Sequence, residues 1–289
     1  MLRLLYLMPC FGLATTGLLA QSLTVIEQDY AAAMAAAGRE DKLLFVDFYT
    51  TWCAPCKELD RDVFQNDSVA DILARDFVLL RYDAERDTAW HLAKKHHVNS
   101  YPTGLLLTPA GEVVLRKYGF PGETAAERID AVAEFGEAGL ARHRAGQTLA
   151  GYRTAIDPSA YPDFYVDYVD RTHTKPDSAA FAGYWQNLPD TLSEAAFSTL
   201  CYFAMDEIPA AVSDGLLADR AGYEAKFGEL DVEVALMFLA FGRFDAAIAD
   251  EDAVAFARAE AFAREALEAE FAASVVARYR QRWDAISGR

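Results

Sequence analysis

The chain has 289 residues, 53% of them hydrophobic, enough for two domains of ordinary size with no need of a disulfide staple for size alone. Asp and Glu number 44 against 27 Lys and Arg, and the resulting net charge of −17 is spread over both halves. Such a field repels phosphate backbones and anionic lipid surfaces, which argues against nucleic-acid binding and favours neutral or basic protein partners; its plainest role is solubility.

The opening MLRLLYLMPCFGLATTGLLAQS combines Arg3, an apolar run to Leu19 and small residues near Ala20 and Ser22, the layout of a cleaved secretory signal peptide over residues 1–20. Leu18 stands where a small residue is preferred, so an uncleaved N-terminal anchor is the alternative. Leu7-Met8-Pro9 looks little like a lipoprotein signal, and Cys10 is read as removed with the leader. Export predicts a periplasmic or otherwise extracytoplasmic location, where disulfides form and persist. Of the remaining cysteines, Cys201 lies in the apolar helical stretch STLCYFAM and is expected to be a buried, inert thiol.

An alanine-rich helix is expected over residues 22–38, then a strand in KLLFVDFYT whose unbroken apolar character suits the middle of a sheet. From Pro55 the spacing of Leu59, Val63 and Phe64 predicts a helix, and Asn66 to Ser68 supplies the stop and cap for another holding Val69, Ile72 and Leu73. FVLLRYD reads as a second buried strand. TAWHLAKKHHV reads as a helix whose last turn gathers Lys94, Lys95, His96 and His97, where cations suit the dipole. YPTGLLLTPAGEVVLRKYG predicts two strands joined at Thr108 to Gly111, and a helix from Thr124 closes an α/β unit with a mixed sheet flanked by helices. Beyond about Gly139 helical periodicity takes over, as in Tyr161, Phe164, Tyr165, Tyr168 and Val169, with Pro158, Pro162, Pro176, Pro189 and Pro209 dividing it into short helices. The expected organisation is an α/β domain over residues 21–139 and an all-α domain over 140–289, whose aromatic stripes read as core.

Cys53 and Cys56 stand where a buried strand turns into a helix. There, unpaired backbone N–H groups and the positive end of the helix dipole favour thiolate over thiol, lowering the pKa to about 7 or below from about 8.5. Cys53 is therefore the expected nucleophile, and Cys56, one turn inward, the group that resolves a mixed disulfide. Pro55 fits the first helical turn and stiffens the loop. No cation lies between the cysteines, so the pair should lean towards reduction or exchange. Metal binding is the weaker reading, because a closed zinc site wants four ligands and only His96 and His97 are at hand; no metal and no organic cofactor is expected.

LLFVDFYTTWCAPCK, followed about fifty residues later by VNSYPTGLLL, resembles the thioredoxin superfamily. VDFYTTWCAPCKELDRDVFQNDSVADIL is similar in detail to the thioredoxin-like C-terminal domain of DsbD-type thiol:disulfide interchange proteins. The resemblance covers roughly residues 22–139 and implies a thioredoxin fold with an added helical domain. It also implies that Asp47 is the buried acid that moves the proton of Cys56, and that Pro102 is a cis-proline whose loop, with Tyr101, offers backbone to a client strand. Trp52 would shield the site, Pro55 and Trp52 would face the client, and Asp60 and Lys57 are candidates for tuning the thiolate. For Asp60 an ordinary exposed helix acid is an equal reading, and for Trp52 simple packing is another.

Where thioredoxins carry a lysine near the buried acid, the expected occupant is Leu79, which would leave the proton path to water or Asp60. Ala54-Pro55 matches neither the Gly-Pro of thioredoxins nor the DsbD-type pairs, so no redox potential is carried over, and the reading expects a detached relative without the transmembrane core of full-length DsbD-type proteins. The reading is an exported thiol–disulfide oxidoreductase acting on client proteins with disulfides, fed by another thiol carrier such as a membrane thiol reductase. A thioredoxin-fold binding or chaperone module with little turnover, and a metal carrier using the C-x-x-C, are the rivals.

Overall fold

The computed structural model describes residues 22–172, 177–206 and 208–287. The expected signal peptide with Cys10, and Pro176, lie outside the described residues. Among the described residues five strands form one sheet: β1 (Val25–Glu27), β2 (Leu43–Tyr49), β3 (Phe77–Asp83), β4 (Thr103–Leu107) and β5 (Val113–Tyr118), in the order β1-β3-β2-β4-β5. β1, β3 and β2 run parallel, and β4 and β5 are antiparallel. The mixed sheet agrees with expectation, but β1 does not: residues 22–29 were expected to be helical. Val25 and Ile26 instead pair with Leu79 and Leu80, and the first helix, α1 (Tyr30–Glu40), starts only after Asp29, whose carboxylate caps Ala32 N–H at 3.0 Å.

The alternation of β2 decides what each face of the sheet carries. Leu43 and Phe45 point to one side, where they pack with Leu59, Val63, Phe77, Leu79, Val132 and Phe135 beneath α2 (Ala54–Leu59) and α5 (Ala125–Arg144). α3 (Asp67–Leu73) adds Leu73 to this side. α5 opens on a reciprocal Thr124–Glu127 capping box and runs past Gly139, so the expected division there falls inside a helix. Glycine at that point lets α5 lie against the sheet, since a Cβ there would stand 2.1 Å from Leu106 Cδ1.

Leu44, Val46 and Phe48 point to the other side, towards the alanine face of α1 and onwards into the helical part of the chain. That part is built from α6 (Asp163–Val169), α7 (Ser178–Asn187), α8 (Glu194–Phe203), α9 (Ala210–Ala218), α10 (Arg220–Phe227), α11 (Glu229–Ala249), α12 (Ala253–Ala266) and α13 (Ala269–Ser287). One hydrophobic cluster runs unbroken from Val46 and Leu80 through Phe197 and Phe227, whose rings stack at 4.1 Å, to Phe244 and Tyr279. The aromatic stripes are largely core, as expected, with Tyr161 and Tyr165 buried, but Tyr168 of the same stripe stands open to solvent. Among the described residues no helix is long and apolar enough to cross a membrane.

The segment Thr88–His97 departs most from expectation. Only Leu92–Lys95 forms a helix, α4, because His91 takes a left-handed conformation (φ 51°) and Lys94 N–H and Nζ are both turned onto Asp87. Lys94, Lys95, His96 and His97 are buried, not gathered in the last turn of a long helix. The helical part supplies their partners: Lys94 Nζ lies 2.5 Å from Asp170, and Lys95 Nζ 2.5 Å from Glu194, which also accepts from Tyr161 and the Arg153 N–H.

Candidate active site

β2 delivers the chain directly into the cysteine pair. Cys53 donates its N–H to Thr50 O at 3.2 Å and serves as N-cap of α2, its sulfur accepting the Cys56 N–H at 3.1 Å. Pro55 occupies the first turn, where its missing N–H costs nothing. The two sulfurs are joined in a disulfide, with Cα atoms 5.3 Å apart, so the side chains face one another as the proposed exchange chemistry requires. Cys53, the expected nucleophile, is only 3% exposed and Cys56 2%. In the oxidised pair Cys53 Sγ is turned onto the first turn of α2 and bonded to its partner, which hides both.

Trp52, next to Cys53, is 61% exposed, which sets aside simple packing as its role. Its ring meets Tyr101 edge-on at 6.0 Å, and its indole N–H donates to Glu85, lowering the Glu85 carboxyl below its ordinary range with help from Arg171. The Tyr101–Pro102 peptide bond is cis. The register that opposes Phe48 to Thr103 brings this loop to the end of β2, beside the cysteines. Lys57 is exposed on α2, one turn beyond Cys53.

Asp47 is 1% exposed and lies on the face of β2 that α2 covers. Burial pushes its carboxyl up to about 7, against the pull of Arg81 and with a further push from Asp60. Arg81 is the residue paired opposite Asp47 in the parallel β2–β3 register. The expected occupant, Leu79, instead pairs with Phe45 inside the apolar core. The cation is thus present, two residues further along β3. Its Nε stands 3.6 Å from Asp47 Oδ2, too far for a hydrogen bond, and Asp47 Oδ1 and Arg81 Nε have no hydrogen-bond partner among the described residues. Arg81 Nη1 reaches Asp60 at 2.9 Å, and the guanidinium lies over the Tyr49 ring at 4.7 Å. Asp60 is therefore no ordinary exposed helix acid: it opens a π-helical turn, Asp60–Phe64, and faces inward onto Arg81.

Comparison with known proteins agrees with this geometry. A family profile described as Thioredoxin-like matches residues 25–109. Thioredoxin-1 of Drosophila melanogaster is 37% identical over 79 residues, covering 27% of this chain and 67% of the relative. The thioredoxin of Echinococcus granulosus is 34% identical over 93 residues, covering 31% of this chain and 78% of the relative. The chain belongs to the thioredoxin-like family. A thiol:disulfide interchange protein DsbD, from Pseudoalteromonas atlantica, is 31% identical over 88 residues, covering 30% of this chain but only 15% of that protein, so the likeness is to one part of it.

In thioredoxin-like proteins the chemistry is thiol–disulfide oxidoreduction through a cysteine pair, and here that pair is Cys53 and Cys56. His96 and His97 do not join it. They sit in a buried joint between β5 and the helical part, where Arg116 Nη1 donates to the His96 carbonyl at 2.5 Å and to His97 Nε2 at 2.7 Å. Because guanidinium only donates, His97 Nε2 must accept, and its proton sits on Nδ1, 3.3 Å from Ser198 Oγ. Burial and Arg116 lower His97 to about 4, so the ring is neutral near pH 7. Asp231 closes the joint, accepting from Tyr118 at 2.5 Å and Tyr152 at 3.1 Å; burial alone would raise its carboxyl, but Arg116, with the Tyr118 hydroxyl, holds it well below the usual range. Among the described residues no group of three or more His, Cys, Asp or Glu side chains is placed to hold a metal.

Proposed function

We propose that this thioredoxin-like chain is an exported oxidoreductase that reduces or exchanges disulfides in client proteins. The observation that carries the reading is the Cys53–Cys56 disulfide at the start of α2, above the sheet face that bears a buried Asp47 with a carboxyl pushed to about 7. In the reduced form the Cys53 thiolate attacks one sulfur of a client disulfide. A Cys53–client disulfide forms, and the other client sulfur leaves as thiolate. Asp47 takes the Cys56 proton, and the Cys56 thiolate attacks Cys53 Sγ, re-forming the Cys53–Cys56 bond and releasing the second client thiolate. The client gains two electrons and the protein loses two, so a thiol donor, for which a membrane thiol reductase is our candidate, must restore the dithiol.

The direction rests on the site's charges: no cation stands between the cysteines, and Asp47 and Asp60 lie close by with Arg81 between them. Acids near the pair disfavour thiolate and so favour a reducing couple. Export rests on the apolar, Arg3-led N-terminal sequence, and mass spectrometry of the secreted chain should find a new N-terminus near Gln21. Insulin reduction with dithiothreitol as donor tests the function: the wild type should accelerate it and Cys53→Ser should not. Equal rates for the two proteins would defeat the proposal, and a reduction potential well above about −180 mV would reverse its direction.

A further inference from the structure

Beside the redox pair, a groove of about 1300 Å³ runs between the thioredoxin-like part and the helical part. One wall carries Trp52 and Tyr101, which precede Cys53 and cis-Pro102 respectively. The opposite wall comes from α6 and α11, with Tyr168, Met237 and Phe238. The volume exceeds the roughly 300–1,000 Å³ of an ordinary small-molecule site.

We infer that this groove binds an extended segment of the client polypeptide, and that α6 and α11 select segments carrying an aromatic or large aliphatic side chain in a neutral or basic context. The inference rests on the proposed oxidoreductase function and names its substrate class. Three observations carry it. Trp52 and Tyr168, 61% and 36% exposed, are two of the few large hydrophobic side chains left open to solvent, and both line this one groove from opposite walls. Aromatic rings presented in this way contribute a large contact area at little entropic cost. The groove reaches Trp52 and Tyr101, the chain neighbours of Cys53 and cis-Pro102, so a segment lying in it would pass beside the redox pair.

Charge supplies the third observation. The lining carboxylates Glu85, Asp87 and Asp170 outnumber the lining cations Lys94 and Arg171, in a chain of net charge −17. Lys94 is buried and already bonded to Asp87 and Asp170, and Arg171 is paired with Glu85 at 2.9 Å. The same pairs occupy Glu85, Asp87 and Asp170, so the lining keeps one net negative charge within an acidic chain, which disfavours an acidic segment.

Fluorescence anisotropy with labelled ten-residue peptides tests this without depending on turnover. Each peptide carries alanine in place of the reactive cysteine, with Phe or Gly three positions away and flanking Arg or Asp. With the full chain, the Phe peptide should bind about ten-fold more tightly than the Gly peptide, and the Arg flank more tightly than the Asp flank at low salt. Tyr168→Ser on α6 and Met237→Ser on α11 should each reduce the Phe preference about five-fold. Circular dichroism melts identify a variant that fails to fold, and the two substitutions lie on separate elements. Equal binding of Phe and Gly peptides, or a preference untouched by both substitutions, overturns the inference. A concentration-dependent dimer that excludes the Phe peptide overturns it in favour of a second copy as occupant. Loss of insulin reduction with the Phe preference intact would sink the oxidoreductase reading and leave the groove assignment standing.

Discussion

Arg81 stands opposite Asp47 across the β2–β3 pair, its Nε 3.6 Å from one carboxylate oxygen of Asp47 and its Nη1 2.9 Å from Asp60. One guanidinium thus sits between the buried acid and a second acid at the end of α2. Arg81 lowers the Asp47 carboxyl against the upward push of burial, so its removal should move the working range of the acid upward. In Arg81→Leu, the pH midpoint of client release should rise by about one unit from its value near 7. Stopped-flow turnover across pH 5–9 reads this directly, and an unmoved midpoint would mean that Asp47 is not the base.

The same carboxyl carries a stability cost. Asp47 titrates near 7 when folded, against 3.8 for an ordinary aspartate, so between these values the folded chain holds a proton that the unfolded chain has lost. Stability from this residue is therefore present at low pH and is lost as pH rises through about 7. Asp47→Asn should be more stable than the wild type at pH 8, by on the order of 3 kcal/mol, while losing about a hundred-fold in turnover. Urea unfolding at pH 4 and pH 8 checks the sign, because the difference between the proteins should shrink at the lower pH.

His97 acts in the opposite sense. Its folded-state value is lowered to about 4 from 6.5, so in that window the unfolded chain takes up a proton that the folded chain refuses. Its contribution is intact above about 6.5 and is lost as pH falls towards 4, a change of about 3 kcal/mol. Thermal melts between pH 7 and 4 should show a fall in Tm that His97→Gln reduces. A Gln variant with the same acid sensitivity as the wild type would place the titrating group elsewhere.

Asp231 holds the joint from the helical side. Asp231→Ala would leave Arg116 buried without its carboxylate and strip Tyr118 and Tyr152 of their acceptor, a loss of about 3–5 kcal/mol. Urea midpoints should fall accordingly, and limited proteolysis should cut first between α5 and α8. Unchanged protease resistance would show that apolar packing alone holds the parts together.

What the sequence disclosed and what it withheld follow from distance along the chain. Cys53, Cys56, Pro55 and Trp52 are local, and a strand running into a helix is enough to assign them places. Arg81 was missed because its partnership with Asp47 depends on how two parallel strands are registered, and neither FVLLRYD nor KLLFVDFYT contains that information. β1 was missed because three residues are too few to show a period, and the alanines that follow read as one helix. Lys94 to His97 read as the last turn of a helix because their partners come from far off: Glu194 lies 99 residues beyond Lys95. The all-α character beyond α5 was legible from its spacing, but not its docking onto the sheet.

The unbroken cluster that joins Val46 and Leu80 to Phe197 and Phe244 means that the redox motif cannot be lifted out as a freestanding unit. A fragment ending after α5 would strip Lys94, Lys95 and Arg116 of Asp170, Glu194 and Asp231 and lay bare the sheet face on which the helical part rests. Whoever grafts this cysteine pair onto another carrier must bring the helices along as its floor.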